Sequence, residues 1–325
     1  MMHSPTLSRR HLLGALASGA ALSSLGAPRL AAAQTGEAAV PRPVIYDRVV
    51  GDAQLTVMLD GYFPLGLDMI TNMDPALVKA NLAAAYHNTE GPYPLAISSH
   101  LIRSGDQITL VDGGTGGAFG PTAGRLLAGL EAAGIAPEDV TRIALTHMHP
   151  DHIGGLLNGA TATFANASLH VAAPELAFWT DEATGAAAPA EMQSFFALSR
   201  ALKAAYGDRV VTFEGETDLG AGLSTVPLPG HTVGHTGYRL ASGNDQLLIL
   251  GDATFFAALH FQHPEVGIVF DSDRAMAAET RKKLFAMAAA DRLAVCATHL
   301  AFPGIGHVEV KDEAYAWVPE EWRDL

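Results

Sequence analysis

Four side chains that can bind a metal ion lie within six positions of the sequence. They are His147, His149, Asp151 and His152, in the segment Thr-His-Met-His-Pro-Asp-His. In an extended segment, residues two apart project to the same side, so His147 and His149 can face one ion. The chain turns at Pro150, and Asp151 and His152 can then face a second ion nearby. Imidazole nitrogens and carboxylates suit a borderline divalent ion such as Zn²⁺.

This segment lies between a predicted strand and a glycine pair, which places it at a strand end, on a loop that leads into a helix. The strand is predicted over residues 142–145, and the glycines are Gly154 and Gly155. Binding residues commonly lie on loops that a rigid scaffold positions. Two ions need about six or seven protein ligands, with positions left open for water. The segment supplies four ligands, so we expect the others from distant parts of the chain.

Four further predicted strands are followed by residues that can bind a metal ion. Asp112 follows strand 107–111, His231 follows strand 223–228, Asp252 follows strand 246–250 and His299 follows strand 293–297. Each residue alone has an ordinary explanation, such as a turn former for Asp112 or a helix cap for Asp252. Their repeated position at strand ends favours one shared site. His235 is either a structural residue or a support for a ligand, and the sequence does not decide between the two.

The rest of the chain alternates predicted strands and helices. Further strands are predicted at 55–59, 95–102, 168–172, 210–213 and 236–240. Helices are predicted at 121–133, 188–205 and 274–290. Two runs of strands, each accompanied by helices, indicate a layered α/β body. The sequence from 46 to 325 has neither a Pro/Ser-rich linker nor a short repeat, so we predict one catalytic domain there, after a lead-in over 34–45.

The first 33 residues have the composition of an export signal. Arg9 and Arg10 precede an apolar run from Gly14 to Leu25, and three alanines ending at Ala33 provide a small-residue cleavage site. Paired arginines in that setting indicate a twin-arginine signal peptide over 1–33. A membrane anchor is the alternative, although a span needs about 20 apolar residues. We therefore expect cleavage near Ala33, a periplasmic or secreted protein, and no membrane contact afterwards.

The charge of the chain argues against a nucleic-acid partner. The sequence has 20 Lys and Arg against 34 Asp and Glu, a net charge of −14. Residues 1–33 contain three arginines and no acidic residue, so cleavage leaves 17 basic residues and a net charge of −17. Such a chain repels phosphate backbones. The single cysteine, Cys296, lies in an apolar run, which indicates a buried thiol and excludes an internal disulfide.

The order and spacing of the candidate ligands resemble the metallo-β-lactamase superfamily over almost the whole chain after the predicted signal. The residues that carry this resemblance are His147, His149, Asp151, His152, His231, Asp252 and His299. It implies an α/β fold, a four-layer αββα sandwich in which two mixed sheets are flanked by helices and a dimetal site lies at one edge. Shorter segments are similar to methyl parathion hydrolase and to related lactonases and arylesterases. These segments are 118–124, 271–273, 281–283 and 302–307.

The resemblance also implies a role for each residue. The implied ligands of a first ion are His147, His149 and His231. Those of a second ion are Asp151, His152 and His299. Asp252 would bridge both ions beside a water or hydroxide, and Asp151 and Asp252 would be the catalytic residues. Asp112 would orient a ligand histidine, with His235 as a second supporting candidate. The cofactors would be two divalent ions, Zn²⁺ first, with Mn²⁺, Co²⁺ or Fe²⁺ open.

The implied activity is hydrolysis of a small molecule, either a lactone, an aryl ester or an organophosphate triester. The aromatic residues expected in the substrate pocket are Phe119, Trp179, Phe196 and Phe255. Many quorum-signal lactonases of the superfamily place a tyrosine where this chain has Phe255, which disfavours acyl-homoserine lactones as substrates. The alternatives are such a lactonase, an iron-dependent sulfur dioxygenase of the same fold, or a non-catalytic metal-binding protein. A homodimer is compatible with the sequence.

Overall fold

The computed structural model describes residues 42–322, which form two seven-stranded sheets with helices on both outer faces. The predicted signal peptide and residues 34–41 lie outside the described residues. The first strand begins at Val44, two residues before the domain start predicted at 46. Among residues 42–322, no helix combines the length and the apolar character that crossing a membrane requires.

The strands are short except in the first sheet, where two of them exceed ten residues. In chain order the strands are β1 (Val44–Val50), β2 (Ala53–Leu65), β3 (Ile70–Thr71), β4 (Tyr93–Ser104), β5 (Gln107–Val111), β6 (Arg142–Ala144), β7 (Leu157–Asn158), β8 (Thr161–Ala162), β9 (Ser168–Ala172), β10 (Val210–Phe213), β11 (Asp218–Gly220), β12 (Leu223–Pro227), β13 (Thr236–Ser242), β14 (Asp245–Ile249), β15 (Gly267–Ile268), β16 (Ala294–Cys296), β17 (Ile305–Lys311) and β18 (Ala314–Pro319). The helices are α1 (Pro75–Ala84), α2 (Leu126–Ala132), α3 (Pro150–Ile153), α4 (Ala173–Thr180), α5 (Glu182–Ala187), α6 (Ala190–Tyr206) and α7 (Arg274–Ala290).

Both sheets are mixed. The first has the order β1-β2-β4-β5-β6-β9-β10 and the second β11-β12-β13-β14-β16-β17-β18. Strands β5, β6, β9 and β10 run parallel in the first sheet, and β14 and β16 do so in the second. Parallel neighbours end at the same edge of a sheet, so the loops after β5 and β6 lie together, as do those after β14 and β16.

Three layers of apolar side chains hold the sandwich together. The inter-sheet layer combines Val57 and Val111 of the first sheet with Leu240 and Ile249 of the second. Helices α2, α4 and α6 pack on the outer face of the first sheet, and α7 packs on that of the second. This arrangement confirms the predicted αββα sandwich. Cys296 is buried in the inter-sheet layer, as expected, and burial raises the pKa of its thiol.

The helix predicted over 121–133 was wrong in its first half. The structure has a single 3₁₀ turn at 120–122 and begins α2 only at Leu126. Gly124 has φ +92°, outside helical space. The backbone N–H groups of Gly124 and Leu126 donate to the buried carboxylate of Asp60, at 3.0 and 2.8 Å. These bonds from a distant strand replace the local helical ones.

Several elements carried too weak a periodic pattern to be predicted. They are β1, the hairpin of β17 and β18, and the short helices α1, α4 and α5. The two longest helices were predicted nearly correctly, since α6 and α7 match 188–205 and 274–290 to within two residues. Helix α4 is the most consequential omission, because it lies directly behind the candidate ligands.

Candidate metal centre

The seven candidate ligands form two groups that share one carboxylate. The first group is His147, His149, His231 and Asp252. The second group is Asp151, His152, Asp252 and His299. Within each group, one ligand atom per residue lies within 4.8 Å of all the others. Each group takes ligands from both sheets. Residues 147–152 follow β6 of the first sheet, while His231, Asp252 and His299 follow β12, β14 and β16 of the second.

Asp252 lies at the centre of the cluster. Its Oδ2 is 3.3 Å from His231 Nε2 and 3.1 Å from His299 Nε2. Its Oδ1 is 3.2 Å from His152 Nε2. One oxygen therefore faces histidines of both groups, as a residue shared between two ions requires.

The donor atoms fit divalent ions on observations of this structure. His147 Nε2, His152 Nε2 and Asp252 Oδ1 are buried and have no hydrogen-bond partner among the described residues. Buried polar atoms are almost always paired, and a divalent ion bound at the point where these atoms converge would satisfy all of them. Imidazole nitrogen and carboxylate oxygen are ligands that Zn²⁺ accepts.

The protonation of several residues also favours metal binding. Burial, assisted by neighbouring histidines, holds the pKa of His147 and of His149 well below the ordinary value, so both are neutral. Burial opposes ionisation of Asp151, but His152 and His299 together outweigh burial and lower the pKa of Asp151 to about 2. Burial also opposes protonation of His152, yet the surrounding carboxylates, Asp252 foremost, raise its pKa. An ion bound there must displace that proton.

Hydrogen bonds on the far side orient most ligand rings. Asp112 Oδ2 accepts from His152 Nδ1 at 2.8 Å, and its Oδ1 accepts from the backbone N–H of Thr146. Asp271 Oδ1 accepts from His231 Nδ1, also at 2.8 Å. His299 Nδ1 donates to a backbone carbonyl at 2.6 Å. Contacts of this kind fix both the tautomer and the direction of a ligand.

His235 supports Asp252 through the main chain. Its Nδ1 donates to the carbonyl of Leu228 at 3.0 Å, which leaves Nε2 as the acceptor. The backbone N–H of Asp252 donates to that Nε2 at 2.9 Å. Burial lowers the pKa of His235 to about 3, so the acceptor nitrogen stays unprotonated near neutral pH. The structure thus places His235 behind the shared carboxylate and outside both ligand groups.

Two supporting carboxylates were not identified from the sequence. Asp271 precedes α7 and resembles an ordinary turn residue in the sequence. Glu175 lies on the unpredicted helix α4 and accepts from the backbone N–H of Met148 and of Gly234. Burial raises the pKa of Glu175, against the hydrogen bonds that favour its charged form. A single acidic residue that belongs to no spaced motif cannot be recognised from the sequence as part of a site.

A narrow cavity of about 60 Å³ opens onto the two groups. Among the described residues that line it, the polar ones all belong to the ligand set, and the rest are apolar. The aromatic lining residues are Phe63, Phe119, Phe195, Phe255 and Phe270. Phe255 stacks on His299, with centroids 5.2 Å apart. A larger surface groove of about 570 Å³, beside α4, contains none of the seven ligands.

The expected substrate pocket needs two corrections. Phe119 and Phe255 line the cavity, but Trp179 and Phe196 do not. Both are fully buried in the core between the first sheet and its helices, where their rings lie 4.8 Å apart. Trp179 packs against the ring of His149 from behind, at 5.3 Å, so it touches a ligand and not the cavity. Residue type alone could not separate a lining aromatic from a core aromatic.

Comparison with known proteins places this geometry among metal-dependent hydrolases. The family model described as the metallo-β-lactamase superfamily matches residues 92–299. Probable metallo-hydrolases of Mycobacterium tuberculosis and Mycobacterium bovis are 32% identical to the chain over 139 residues. That match spans 39% of this chain and only 41% of each mycobacterial protein.

Two solved structures are similar over nearly their full length. AbOPH, a hydrolase in the β-lactamase superfamily, is 32% identical, with a TM-score of 0.81 over 86% of this chain and 98% of its own. AidC, a dizinc quorum-quenching lactonase solved with a product, N-hexanoyl-L-homoserine, is 28% identical. Its TM-score is also 0.81, over 87% of this chain and 99% of its own.

Proposed function

Because the chain belongs to the metallo-β-lactamase superfamily, we propose that it is a dimetal hydrolase of neutral, apolar lactones, aryl esters or organophosphate triesters. The observation that carries the proposal is the pair of ligand groups sharing Asp252 beneath an apolar cavity. When bound, two divalent ions lower the pKa of water towards 7 and polarise a C=O or P=O bond. No serine or cysteine nucleophile is then required.

The two acidic ligands, Asp252 and Asp151, differ in exposure, and we assign them different roles. Asp252 is deeply buried and would hold both ions at a fixed separation. The side chain of Asp151 is 18% exposed, more than any other ligand side chain that pairs with a histidine or carboxylate of the cluster, and it lines the cavity. Its Oδ2 lies 3.5 Å from the Nε2 atoms of both His152 and His299. We therefore assign proton transfer between substrate and solvent to the Asp151 carboxylate.

The lining of the cavity selects the substrate class. A charged or strongly polar group would lose its hydration there and find no side-chain partner outside the ligand set. Aryl and alkyl groups would instead contact phenylalanine rings. The similarity to AidC, which was solved with N-hexanoyl-L-homoserine, supports lactones among the substrates. The absence of a hydroxyl at Phe255 argues against acyl-homoserine lactones, so a quorum-signal lactonase is the alternative and belongs in the substrate panel.

The cavity must widen to admit such a substrate. Its volume of about 60 Å³ is well below the roughly 150 Å³ that holds a benzene molecule in an engineered protein cavity. Phe63 and Phe119, both partly exposed, meet edge to face in the cavity lining, with centroids 5.4 Å apart. We propose that rotation of these two rings opens the cavity.

We also propose Zn²⁺ as the resident ion, because its ligand preferences match imidazole and carboxylate and AidC is described as a dizinc enzyme. The same ligands accept Mn²⁺, Co²⁺ or Fe²⁺, so metal analysis of purified protein is the direct measurement. Export through a twin-arginine signal remains a prediction, as does the periplasmic or secreted location.

A substrate panel on metal-quantified protein tests the proposed function. We expect two ions per chain and turnover of at least one neutral lactone, aryl ester or phosphotriester. Asp252→Ala should lose at least one ion and at least about 100-fold in kcat/KM, since losing even an outer partner of a ligand costs 10–100-fold. Asp106→Ala, in the exposed turn between β4 and β5, is the matched control and should behave as wild type.

Two results would reject the proposed function. One is a protein that carries two ions and hydrolyses no member of the panel. The other is a protein that carries a single iron and consumes O₂, which would establish the dioxygenase alternative. Unchanged activity and metal content in Asp252→Ala would reject the assignment of Asp252 itself.

A further inference from the structure

Glu175 is a fully buried carboxylate that the proposed chemistry does not use. It lies on α4, behind the ligands, and its oxygens accept three N–H hydrogen bonds. Met148 N and Trp179 Nε1 donate to Oε1 at 3.0 and 2.8 Å. Gly234 N donates to Oε2 at 2.9 Å. In a water-poor interior, a carboxylate with several donors holds them firmly.

Two of these donors belong to loops that carry ligands of the first group. Met148 separates His147 from His149, and Gly234 follows His231 by three residues. Both donors are backbone N–H groups, so Glu175 holds the course of the main chain in each loop. One side chain therefore connects the two segments that supply all the histidines of that group.

His149 depends on Glu175 by a second route. His149 faces the other ligands through Nδ1, which lies 3.0 Å from His231 Nε2, so its outer nitrogen is Nε2. The outer nitrogens of the other ligand histidines contact oxygen atoms, but His149 Nε2 is buried and has no hydrogen-bond partner among the described residues. Its ring packs instead against Trp179, at an interplanar angle of 76°. Because the indole N–H of Trp179 is bonded to Glu175, that carboxylate anchors the surface against which His149 is oriented.

The close approach of the second loop requires glycine at position 234. A Cβ there would lie 2.6 Å from Glu175 N and 2.7 Å from Glu175 Cβ, closer than real Cβ contacts. Loop and helix are thus fitted to each other at the point where the Gly234 N–H reaches Glu175.

We propose that Glu175 is the positioning residue of the first ligand group and sets the affinity of that group for its divalent ion. The inference rests on the proposed dimetal function. The second group has its own support, since Asp112 Oδ2 accepts from His152 Nδ1 at 2.8 Å. Asp112 also accepts from the hydroxyl of Thr146, which lies 3.0 Å from His147 Nδ1, so Asp112 reaches both groups. Loss of Glu175 should therefore weaken the first-group ion alone, whereas loss of Asp112 should weaken the second-group ion as well.

Stepwise titration of the metal-free protein with Co²⁺ tests this, read by visible absorption and by competition with a chelator. In Glu175→Gln, an amide donor opposes a backbone N–H while the size of the side chain is kept. We expect the dissociation constant of the first-group ion to rise 10- to 100-fold, and that of the second-group ion to change less than about threefold. The absorption of first-group Co²⁺ should also change, because the geometry of its ligands changes.

Asp112→Asn is the comparison variant and should weaken the second-group ion, whose affinity Glu175→Gln leaves within about threefold. If Glu175→Gln fails to fold, Gly234→Ala carries the test, since it moves the same loop and should weaken the same ion. Equal weakening of both ions, or no weakening of either, would overturn the role of Glu175. Wild-type protein that binds no Co²⁺ would instead reject the dimetal function on which the inference rests.

Discussion

Phe119 lines the cavity beside the ligands, whereas Phe196 is packed in the core behind Trp179. A ring at a cavity wall contributes contact area to a bound substrate, and a ring in the core contributes to stability. The same substitution at the two positions should therefore affect different measurements.

We expect Phe119→Leu to raise KM for an aryl substrate several-fold. It should cost only about 0.5 kcal/mol of unfolding free energy, the lower end of the range for an aromatic pair, because the ring is partly exposed and its edge contact with Phe63 is lost. Phe196→Leu should cost about 1–2 kcal/mol of unfolding free energy, because it leaves part of a packed site empty. Its KM should stay at the wild-type value. Steady-state kinetics and urea denaturation measure both effects, and a KM change confined to Phe196→Leu would restore the original assignment of that residue.

Residue types and their spacing were sufficient to predict that the seven ligands belong to one site. His147, His149, Asp151 and His152 are adjacent in sequence, and the other three each follow an apolar strand. The acidic residues that hold these ligands in position were harder to predict. In the sequence, Glu175 and Asp271 cannot be distinguished from acidic residues on the surface. Only the packed fold shows which acidic side chains are buried and which donors reach them.

At the scale of elements, Asp60 determines the course of the loop between β5 and α2. It is the residue at the bulge of β2, where the register with β4 shifts between Leu59 and Gly61. A bulge redirects a side chain, and here it turns the carboxylate towards the loop. Asp60 accepts from the N–H and the hydroxyl of Thr115, and from the N–H groups of Gly124 and Leu126. Phe119 lies between these anchored positions.

Asp60→Asn should loosen this loop while leaving the sheet intact. The amide offers one acceptor oxygen in place of two, and an unsatisfied buried N–H costs about 1–3 kcal/mol. We expect that loss in unfolding free energy, faster hydrogen exchange at Thr115, Gly124 and Leu126, and a higher KM for aryl substrates. Asp74→Asn, at the exposed N-cap of α1, is the comparison, since it removes a carboxylate without touching the loop. Wild-type exchange rates in Asp60→Asn would show that the loop keeps its structure without the Asp60 carboxylate.

This loop also shows why local patterns misled the prediction of a helix over 121–133. The apolar spacing of Leu126 and Leu130 is helical, and Pro121 suits a first turn. The deciding interaction comes from Asp60, more than fifty residues earlier in the chain. Long helices such as α6 carry enough turns to be predicted locally, whereas short elements near the site depend on partners that the sequence does not show.

At the scale of the whole molecule, the two ions would join the two sheets. Residues 147–152 follow a strand of the first sheet, and His231, Asp252 and His299 follow strands of the second. The inter-sheet core packs the sandwich independently of the ions, through residues such as Val57 and Leu240. The metal-free protein should therefore stay folded, but with less stability than the loaded one.

Linkage gives the size of this difference. An ion that binds only the folded state adds about 4.1 kcal/mol when its free concentration is 1,000 times its Kd. Each kcal/mol corresponds to roughly 2–4 °C in Tm for a chain somewhat shorter than this one, so one such site is worth about 8–16 °C. Thermal unfolding followed by circular dichroism, before and after chelation, measures the shift. Asp252→Ala should show a smaller response to the chelator, because its shared ligand is gone. Equal Tm values with and without ions in the wild type would mean that the ligand groups do not join the sheets.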